Sequence, residues 1–257
     1  MKHVLTLLIC VSGLSMAADL PPPEATEQWQ PVPETVSAVS GSAPSDAIVL
    51  FSGSDLKEWQ AADGKPAPWK IVDGAMVAAA GSGDIRTRRA FGDMQLHLEF
   101  KTPTPPKGEG QGRGNSGVFF MGLYELQILD SYQNKTYVNG QAGSIYKQFP
   151  PLVNASRAPG EWQSYDVVFT APRFLNGKVT PARITALHNG VLIQYEAVLR
   201  GGTVYRGEPG YTPHAAALPL SLQDHGDPVA FRNIWVRPLD HSGGQASEGG
   251  ATQKPAR

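Results

Sequence analysis

Two short polar stretches hold the side chains best suited to proton-transfer chemistry in this sequence. The first is Gln223-Asp224-His225-Gly226-Asp227, which separates two apolar, strand-like runs. The second is Tyr124–Asp130, in which Glu125 and Gln127 alternate with apolar residues. The unperturbed pKa of a histidine lies nearest to neutral pH, so His225 suits proton abstraction. A carboxyl group such as Glu125 suits the role of a second acid or base.

Each stretch also has a simpler interpretation. Asp224-His225-Gly226 fits an Asx-type turn with a surface histidine, and Glu125 fits a solvated carboxylate on an outer strand face. The polar turn, however, directly follows the strand-like run Leu218–Leu222, and functional sites are common in loops at such positions. Glu125 and Gln127 project from one strand face, so both would contact a ligand if that face is concave.

The remaining pattern predicts the strands that position these residues. Hydrophobic and polar residues alternate with a period of two over Met94–Phe100, Tyr124–Leu129 and Gln163–Phe169. Asn189-Gly190 between two alternating runs is a strong hairpin signal. No stretch of the domain sustains the 3.6-residue period of a helix, and 28 Gly and 22 Pro favour many short strands. We therefore predict an all-β, two-sheet antiparallel jelly-roll sandwich.

Two other patterns resemble a nucleotide-binding motif and a pair of metal ligands, but their sequence context does not favour either function. Gly112–Gly117 matches the dinucleotide pattern G-x-G-x-x-G, but it leads into a strand-like run instead of opening a helix. We interpret it as a Gly-rich approach to a strand, with Asn115 as a hydrogen-bonding residue. His97-x-Glu99 could supply two metal ligands from one strand face, yet these residues are ordinary on an exposed strand. No histidine spacing indicates a metal site.

The first residues resemble an export signal. Lys2 and His3 precede the apolar run Val4–Leu14, and small residues follow it. We predict a signal peptide over residues 1–18 and a periplasmic or secreted protein. The run is too short to span a bilayer. Its Cys10 is the only cysteine of the sequence, so a mature chain cut after residue 18 would have no thiol; a lipid anchor on Cys10 is the weaker alternative.

Composition divides the rest of the chain. Residues 19–46 are rich in Pro, Ser, Ala and Glu and predict a linker, and residues 241–257 predict a disordered tail. One domain is expected over residues 47–240. The formal net charge is −1, so no basic excess favours a nucleic-acid partner.

Seven segments in order carry a resemblance to a known family, the 3-keto-disaccharide hydrolases. They are VLFSGSDLKEW (49–59), WKIVDGAMV (69–77), GNSGVFFMGLYELQILDS (114–131), GSIY (143–146), PGEWQSYDVVF (159–169), HNGVLI (188–193) and LQDHGDPVAFRNIWVRPL (222–239). The match covers about residues 48–239, essentially the whole domain. It implies a concanavalin-like jelly roll, in agreement with the predicted strands. Many members have an arginine where this chain has Met121, which suggests a subgroup with its own substrate.

The resemblance also implies a reaction. A sugar that carries a ketone at C3 has an acidified hydrogen at C2; a base removes it, the C1 oxygen leaves by β-elimination, and water adds to the enone. Such an enzyme needs a base, an acid and donors for the enolate oxygen. It needs no cofactor of its own, because a separate sugar 3-oxidoreductase has already made the ketone. A divalent metal could replace the donors as a Lewis acid.

The resemblance and the chemistry together define the candidate residues. His225 is the candidate base, Glu125 the second acid or base, and Asp224 orients His225 or binds the sugar. The candidates for holding hydroxyls or the enolate are Asn115, Gln127, Tyr146, Gln223 and Arg232. Arg232 has an alternative role in an ion pair with Asp224 or Asp227.

A carbohydrate-binding module without catalysis is the competing function, since jelly rolls serve both purposes. Such a module typically presents a row of exposed aromatic side chains. Here the tryptophans of the domain lie in apolar strand context and are predicted to be core residues, namely Trp59, Trp69, Trp162 and Trp235. The sequence therefore favours an enzyme.

Overall fold

The structure is a computed structural model that describes residues 20–239. The predicted signal peptide with Cys10 and the predicted tail lie outside the described residues. The chain divides into two compact units, whose described parts are residues 20–35 and 36–239. Residues 20–35 contain one short 3-10 turn, Pro23–Thr26, and no other regular element.

Fifteen strands and two further 3-10 turns make up the regular structure of residues 36–239, which include no α-helix. The strands are β1 (Ile48–Phe51), β2 (Trp59–Ala61), β3 (Lys70–Val72), β4 (Ala75–Val77), β5 (Ile85–Phe91), β6 (Met94–Lys101), β7 (Ser116–Phe120), β8 (Tyr124–Ile128), β9 (Gln163–Thr170), β10 (Arg173–Leu175), β11 (Lys178–Thr180), β12 (Arg183–His188), β13 (Val191–Val198), β14 (Leu218–Leu222) and β15 (Ala230–Pro238). The 3-10 turns are Gly110–Gly112 and Val138–Gly140.

The strands form an antiparallel two-sheet sandwich, which confirms the predicted fold. The larger sheet has the order β13-β12-β9-β6-β15-β4-β3, with β1 also paired to β15. The smaller sheet has the order β2-β5-β14-β7-β8, and β10 and β11 form a separate hairpin. In the smaller sheet β14 therefore lies next to β7, so the polar turn after β14 begins beside the strand that pairs with β8.

The core lies between the two sheets. Phe120 of β7 stacks on Phe169 of β9, with ring centroids 4.8 Å apart, so the two sheets are in direct contact. Burying a large apolar side chain contributes about 1.5–3 kcal/mol relative to leaving it exposed. The strict alternation of burial along β6 follows the alternation in sequence. Asn189 and Gly190 have φ values of +53° and +78°, as the tight turn between β12 and β13 requires.

The prediction that all four tryptophans are core residues is wrong for Trp162, whereas Trp235 is buried but lies on the face of its sheet opposite the main core cluster. The pairing of β15 with β6 shifts between Arg232 and Trp235, where Asn233 has a φ of +47°. One extra residue in a strand moves all following side chains to the other face. Trp235 consequently stacks on His97, outside the core cluster, at 5.3 Å between ring centroids. Trp162 is half-buried and lies under the guanidinium of Arg232.

Candidate functional site

Strands β7 and β8 present polar side chains on the face opposite the core. Phe119 pairs with Glu125 and Gly117 with Gln127, so these four residues share one face of the smaller sheet. The residues between them point into the core, among them Leu126. A pocket of about 290 Å³ lies over the polar face. Six of the eight sequence-predicted site residues line it, namely Asn115, Glu125, Gln127, Tyr146, Gln223 and His225.

Glu125 is almost entirely buried, with 4 % of its surface exposed. Its backbone N–H donates to Oγ1 of Thr203 at 3.0 Å. Burial, with a smaller contribution from the charge of Asp84, raises the pKa of Glu125 to about 8. The carboxyl group is therefore mainly protonated at neutral pH, so it can donate a proton or a hydrogen bond to a ligand in the pocket.

Gln127 connects Glu125 to the floor of the pocket. Its side chain is buried, and the orientation of its amide follows from its neighbours. With the nitrogen facing acceptors, the amide donates to the carbonyl of Ser116 at 2.8 Å and to Oε1 of Glu125 at 3.0 Å. The amide thereby holds one oxygen of the carboxyl group in place.

The two acids of the polar turn are structural. Oδ2 of Asp224 accepts from the N–H of Gly83 at 3.0 Å, and Oδ1 accepts from the N–H of Gly226 at 2.9 Å. Oδ2 of Asp227 accepts from the N–H of Asn115 at 2.9 Å. These bonds tie the turn to two neighbouring loops, while His225 between them is exposed and lines the pocket. The segment therefore forms the Asx-type turn and also places His225 at the pocket.

Tyr146 reaches the pocket from a segment that runs along the free edge of β8. Ile145 forms a bridge with Leu126, and the N–H of Tyr146 donates to the carbonyl of Glu125 at 3.4 Å. The Tyr146 hydroxyl lies 2.7 Å from the hydroxyl of Tyr137. Burial and then this hydrogen bond raise the pKa of Tyr146 well above its usual range. Its hydroxyl stays protonated and can act as a donor.

Gln223 has an unused acceptor at the site. Its backbone N–H donates to the carbonyl of Gly117 at 3.0 Å, and its carbonyl accepts from Oγ of Ser116 at 2.7 Å. These bonds hold it beside β7. Within residues 20–239, the buried side-chain oxygen Oε1 of Gln223 has no hydrogen-bond partner, so it is available to a ligand hydroxyl.

Two predicted site residues do not line this pocket. Asp224 contributes through the turn described above, and both of its oxygens bond to backbone N–H groups instead of His225. Arg232 lies on β15 of the other sheet, directly opposite Glu99 of β6, and donates to Oε2 of Glu99 at 2.6 Å. The predicted ion pair of Arg232 with Asp224 or Asp227 is therefore corrected to one with Glu99.

Sequence reasoning missed several residues around the pocket. Phe119, Thr203 and Tyr205 complete its lining. Asp84 acts on the site by its charge, which raises the pKa of Glu125. Burial raises the pKa of Asp84 itself, and the charge of His225 opposes this shift by a smaller amount. Phe119 could have been found from its place opposite Glu125 in a predicted hairpin. Asp84, Thr203 and Tyr205 lie in loops without periodicity and have no local signal.

Two features of residues 20–239 bear on cofactors and membranes. No group of three or more His, Cys, Asp or Glu side chains in this range is arranged to hold a metal ion. No helix there is both long and apolar enough to cross a membrane.

Comparison with known proteins shows the family of this chain. Residues 46–237 match the 3-keto-alpha-glucoside-1,2-lyase-like domain. A curated 3-keto-disaccharide hydrolase of Bacteroides thetaiotaomicron is 24% identical over 240 residues, which cover 75% of this chain and 78% of that protein.

Two solved structures are also similar to this chain. A Parabacteroides distasonis protein, provisionally described as a glycosyl hydrolase, is 46% identical with a TM-score of 0.81. The match covers 85% of this chain and 97% of that one. A second structure from the same organism, with the same description, shares the fold at 19% identity and a TM-score of 0.55, over 76% of this chain and 94% of that one. The chain belongs to the glycosyl hydrolase-like 3-keto-disaccharide hydrolase family, whose characteristic domain fills residues 46–237.

Proposed function

We propose that this protein cleaves 3-keto-disaccharides or 3-keto-glucosides by proton abstraction at C2, β-elimination and hydration. The observation that carries the proposal is the meeting of two ionisable groups in one pocket. Glu125 is buried with its pKa raised to about 8, and His225 lines the same pocket from the turn after β14. A strongly shifted carboxyl group beside a histidine in a pocket is typical of acid–base catalysis.

In this mechanism His225 takes the proton from C2 and the electron pair moves to the C3 oxygen as an enolate. The C1–O bond then breaks, and the leaving oxygen takes a proton from an acid of the site. Water adds its hydroxyl to C1 and its proton to C2, and the proton taken by His225 passes to the acid that protonated the leaving oxygen. Both groups return to their starting states, so the net reaction is hydrolysis. Glu125 in its protonated form donates to the enolate oxygen or to the leaving oxygen.

The polar residues around the pair would hold the sugar. Oε1 of Gln223 has no partner within the described residues and can accept from a substrate hydroxyl. Asn115 and Gln127 offer further amide groups in the lining. The Tyr146 hydroxyl stays protonated and can donate to the leaving oxygen. The phenyl ring of Phe119 forms an apolar wall against which a sugar ring can pack.

The chemistry implies a preceding enzyme. The C2 hydrogen is acidic only when C3 is a ketone, so a sugar 3-oxidoreductase must supply the substrate. The protein itself then needs no redox cofactor. With the export signal expected over residues 1–18, the reaction would take place in the periplasm or outside the cell.

Incubation of the full-length protein with a 3-keto-glucoside, with and without a chelator, tests this function. We expect release of the aglycone and of 3-keto-glucose, followed by NMR. Loss of the activity on chelation, with recovery on adding a divalent metal, would assign the Lewis-acid role to a metal ion. Sugar affinity without turnover under either condition would contradict the proposal and indicate a binding module.

A further inference from the structure

A second pocket, of about 470 Å³, adjoins the first and shares Tyr146 and Tyr205 with it. Its lining also includes Tyr137, Lys147, Arg200 and Glu208. Because two residues form walls of both pockets, a ligand seated over Glu125 can extend past Tyr146 into the second pocket. The bond between the two halves of such a ligand would then lie near the Tyr146 hydroxyl.

Lys147 is the central charged group of this second pocket. Its ammonium lies 4.1 Å from the ring centroid of Tyr205 and 5.7 Å and 5.8 Å from those of Tyr137 and Tyr146. It also donates to the carbonyl of Tyr205 at 2.7 Å. The rings and the carbonyl hold the ammonium in place without neutralising its charge. An ammonium has three donors, so two remain for a ligand.

The backbone at Lys147 is kept in an unfavourable conformation. Its φ is +58°, in the left-handed region that a lysine seldom adopts. The N–H of Lys147 donates to the carbonyl of Asn139 at 2.8 Å, which stabilises this conformation. Strained positions of this kind are found where a side chain has to be held for function.

The charge of the second pocket is positive overall. Arg200 is its other cation, exposed, with its guanidinium 4.8 Å from the ring centroid of Phe149. In the part of the chain that the structure describes, neither Lys147 nor Arg200 forms an ion pair with a carboxylate. Glu208 is the one carboxylate among the lining residues. Two cations against one anion favour a negatively charged ligand.

We propose that the second pocket binds the leaving half of the substrate and that this half is an acidic sugar, with its carboxylate held by Lys147. The inference rests on the proposed function, which puts the 3-keto sugar over Glu125 and His225. It adds that the substrate is a disaccharide of a neutral 3-keto sugar and a uronic acid. Tyr146, at the junction, would donate to the oxygen between them.

Two substrates with the same 3-keto-glucose half test the inference, one with glucuronate and one with glucose as the leaving sugar in the same linkage. A hydrogen bond to a charged group corresponds to about 10- to 100-fold in affinity. We expect Lys147→Met to raise KM for the acidic substrate by about that factor, with kcat little changed. The neutral substrate should change by less than about 2-fold. Lys147→Arg should keep the preference for the acidic substrate.

Lys178→Met is the matched control, because Lys178 is an exposed lysine of β11 outside both pockets. It should change neither KM. Equal changes with both substrates in Lys147→Met, or no preference for the acidic substrate in the unaltered protein, would overturn the inference.

Calorimetry with free glucuronate separates this inference from the proposed function. We expect binding to the unaltered protein that weakens with added salt and is lost in Lys147→Met. Binding without turnover of any 3-keto substrate would contradict the proposed function but keep the acidic subsite. Turnover of 3-keto substrates without glucuronate binding would support the proposed function but contradict the acidic subsite.

Discussion

A Cβ atom on Gly117 would lie 2.7 Å from Oε1 of Glu125 and 2.9 Å from the ring of Phe119. Gly117 belongs to β7 and faces the pocket on the strand beside Glu125. The absence of a side chain at this position is what leaves room for the buried carboxyl group, so the Gly-rich approach to β7 has a structural consequence for the site.

Replacing Gly117 by alanine should therefore move the Glu125 carboxyl group. A displacement of about 1 Å of a reacting group can cost on the order of 10²-fold in rate, and crowding in a packed site costs about 1–3 kcal/mol of stability. Turnover of a 3-keto-glucoside and thermal unfolding of Gly117→Ala measure both effects. Gly112→Ala is the control, since no atom lies within 4 Å of a Cβ added there. Wild-type turnover in Gly117→Ala would mean that the carboxyl position is not critical.

The raised pKa of Glu125 predicts how activity depends on pH. If the protonated carboxyl group is the acid, kcat should fall as the pH rises through about 8, because the group ionises there. Glu125→Gln keeps a donor but cannot ionise, so the remaining activity of this variant should not fall through that range. A pH–rate profile of both proteins makes the comparison. If kcat of Glu125→Gln fell in the same alkaline range, the decrease would have to come from the ionisation of another group.

Glu125 also links stability to pH. Its folded-state pKa of about 8 lies above the ordinary value of 4.5, so between these values the folded protein keeps a proton that the unfolded chain releases. The free energy of unfolding should accordingly fall as the pH rises through this window. Chemical unfolding at several pH values, taken as the difference between wild type and Glu125→Gln, isolates this contribution.

Replacing His225 by alanine should abolish most of the activity with little effect on folding. A positioned base contributes about 10² to 10⁴ in turnover, while exposed residues such as His225 contribute little to stability. Added imidazole should restore part of the lost turnover of His225→Ala. A variant that folds normally and keeps full activity would exclude His225 as the base.

His188 should remain neutral well into the acid range. It is buried against Phe100 and Tyr165, and its Nε2 lies 2.9 Å from Oε1 of Gln163. Burial lowers its pKa from 6.5 to about 4. Between about pH 6.5 and 4 the unfolded chain therefore binds a proton at this residue and the folded protein does not. The free energy of unfolding should accordingly fall as the pH falls through that window.

Titration of the His188 ring resonances by NMR checks this prediction, together with unfolding of His188→Gln at each pH. In His188→Gln, the part of the decrease in unfolding free energy at acid pH that comes from His188 should be absent. A ring that titrates near 6.5 in the folded protein would contradict it.

The alternation of apolar and polar residues was sufficient to predict β6, β8 and β9. Met94–Phe100 alternates without a break, and the corresponding strand β6 buries every second side chain. Trp235 shows the limit of this reasoning. The extra residue near Asn233 in β15 reverses the faces of the residues after it, and a bulge changes the register without changing the composition.

The site could be predicted only where its residues lie in short local patterns. Glu125 and Gln127 share a strand face, and His225 lies in a conspicuously polar turn. All three line one pocket. Their catalytic roles stay predictions. Thr203 and Tyr205 come from a loop far from Glu125 in sequence, which docks on the start of β8 through the bond from Thr203 N–H to the Leu123 carbonyl at 2.8 Å. Such contacts arise from tertiary packing and leave no pattern in the chain.

The central claim is that a proton is removed from C2 of a 3-keto sugar. Turnover of a 3-keto-glucoside in heavy water tests it most directly, with NMR of the recovered 3-keto-glucose and a control without protein to subtract spontaneous enolisation. Elimination followed by hydration predicts deuterium at C2 of the product, because the solvent supplies the new C2 hydrogen. Normal turnover with no C2 label above the control would contradict the mechanism and the role of His225 as its base.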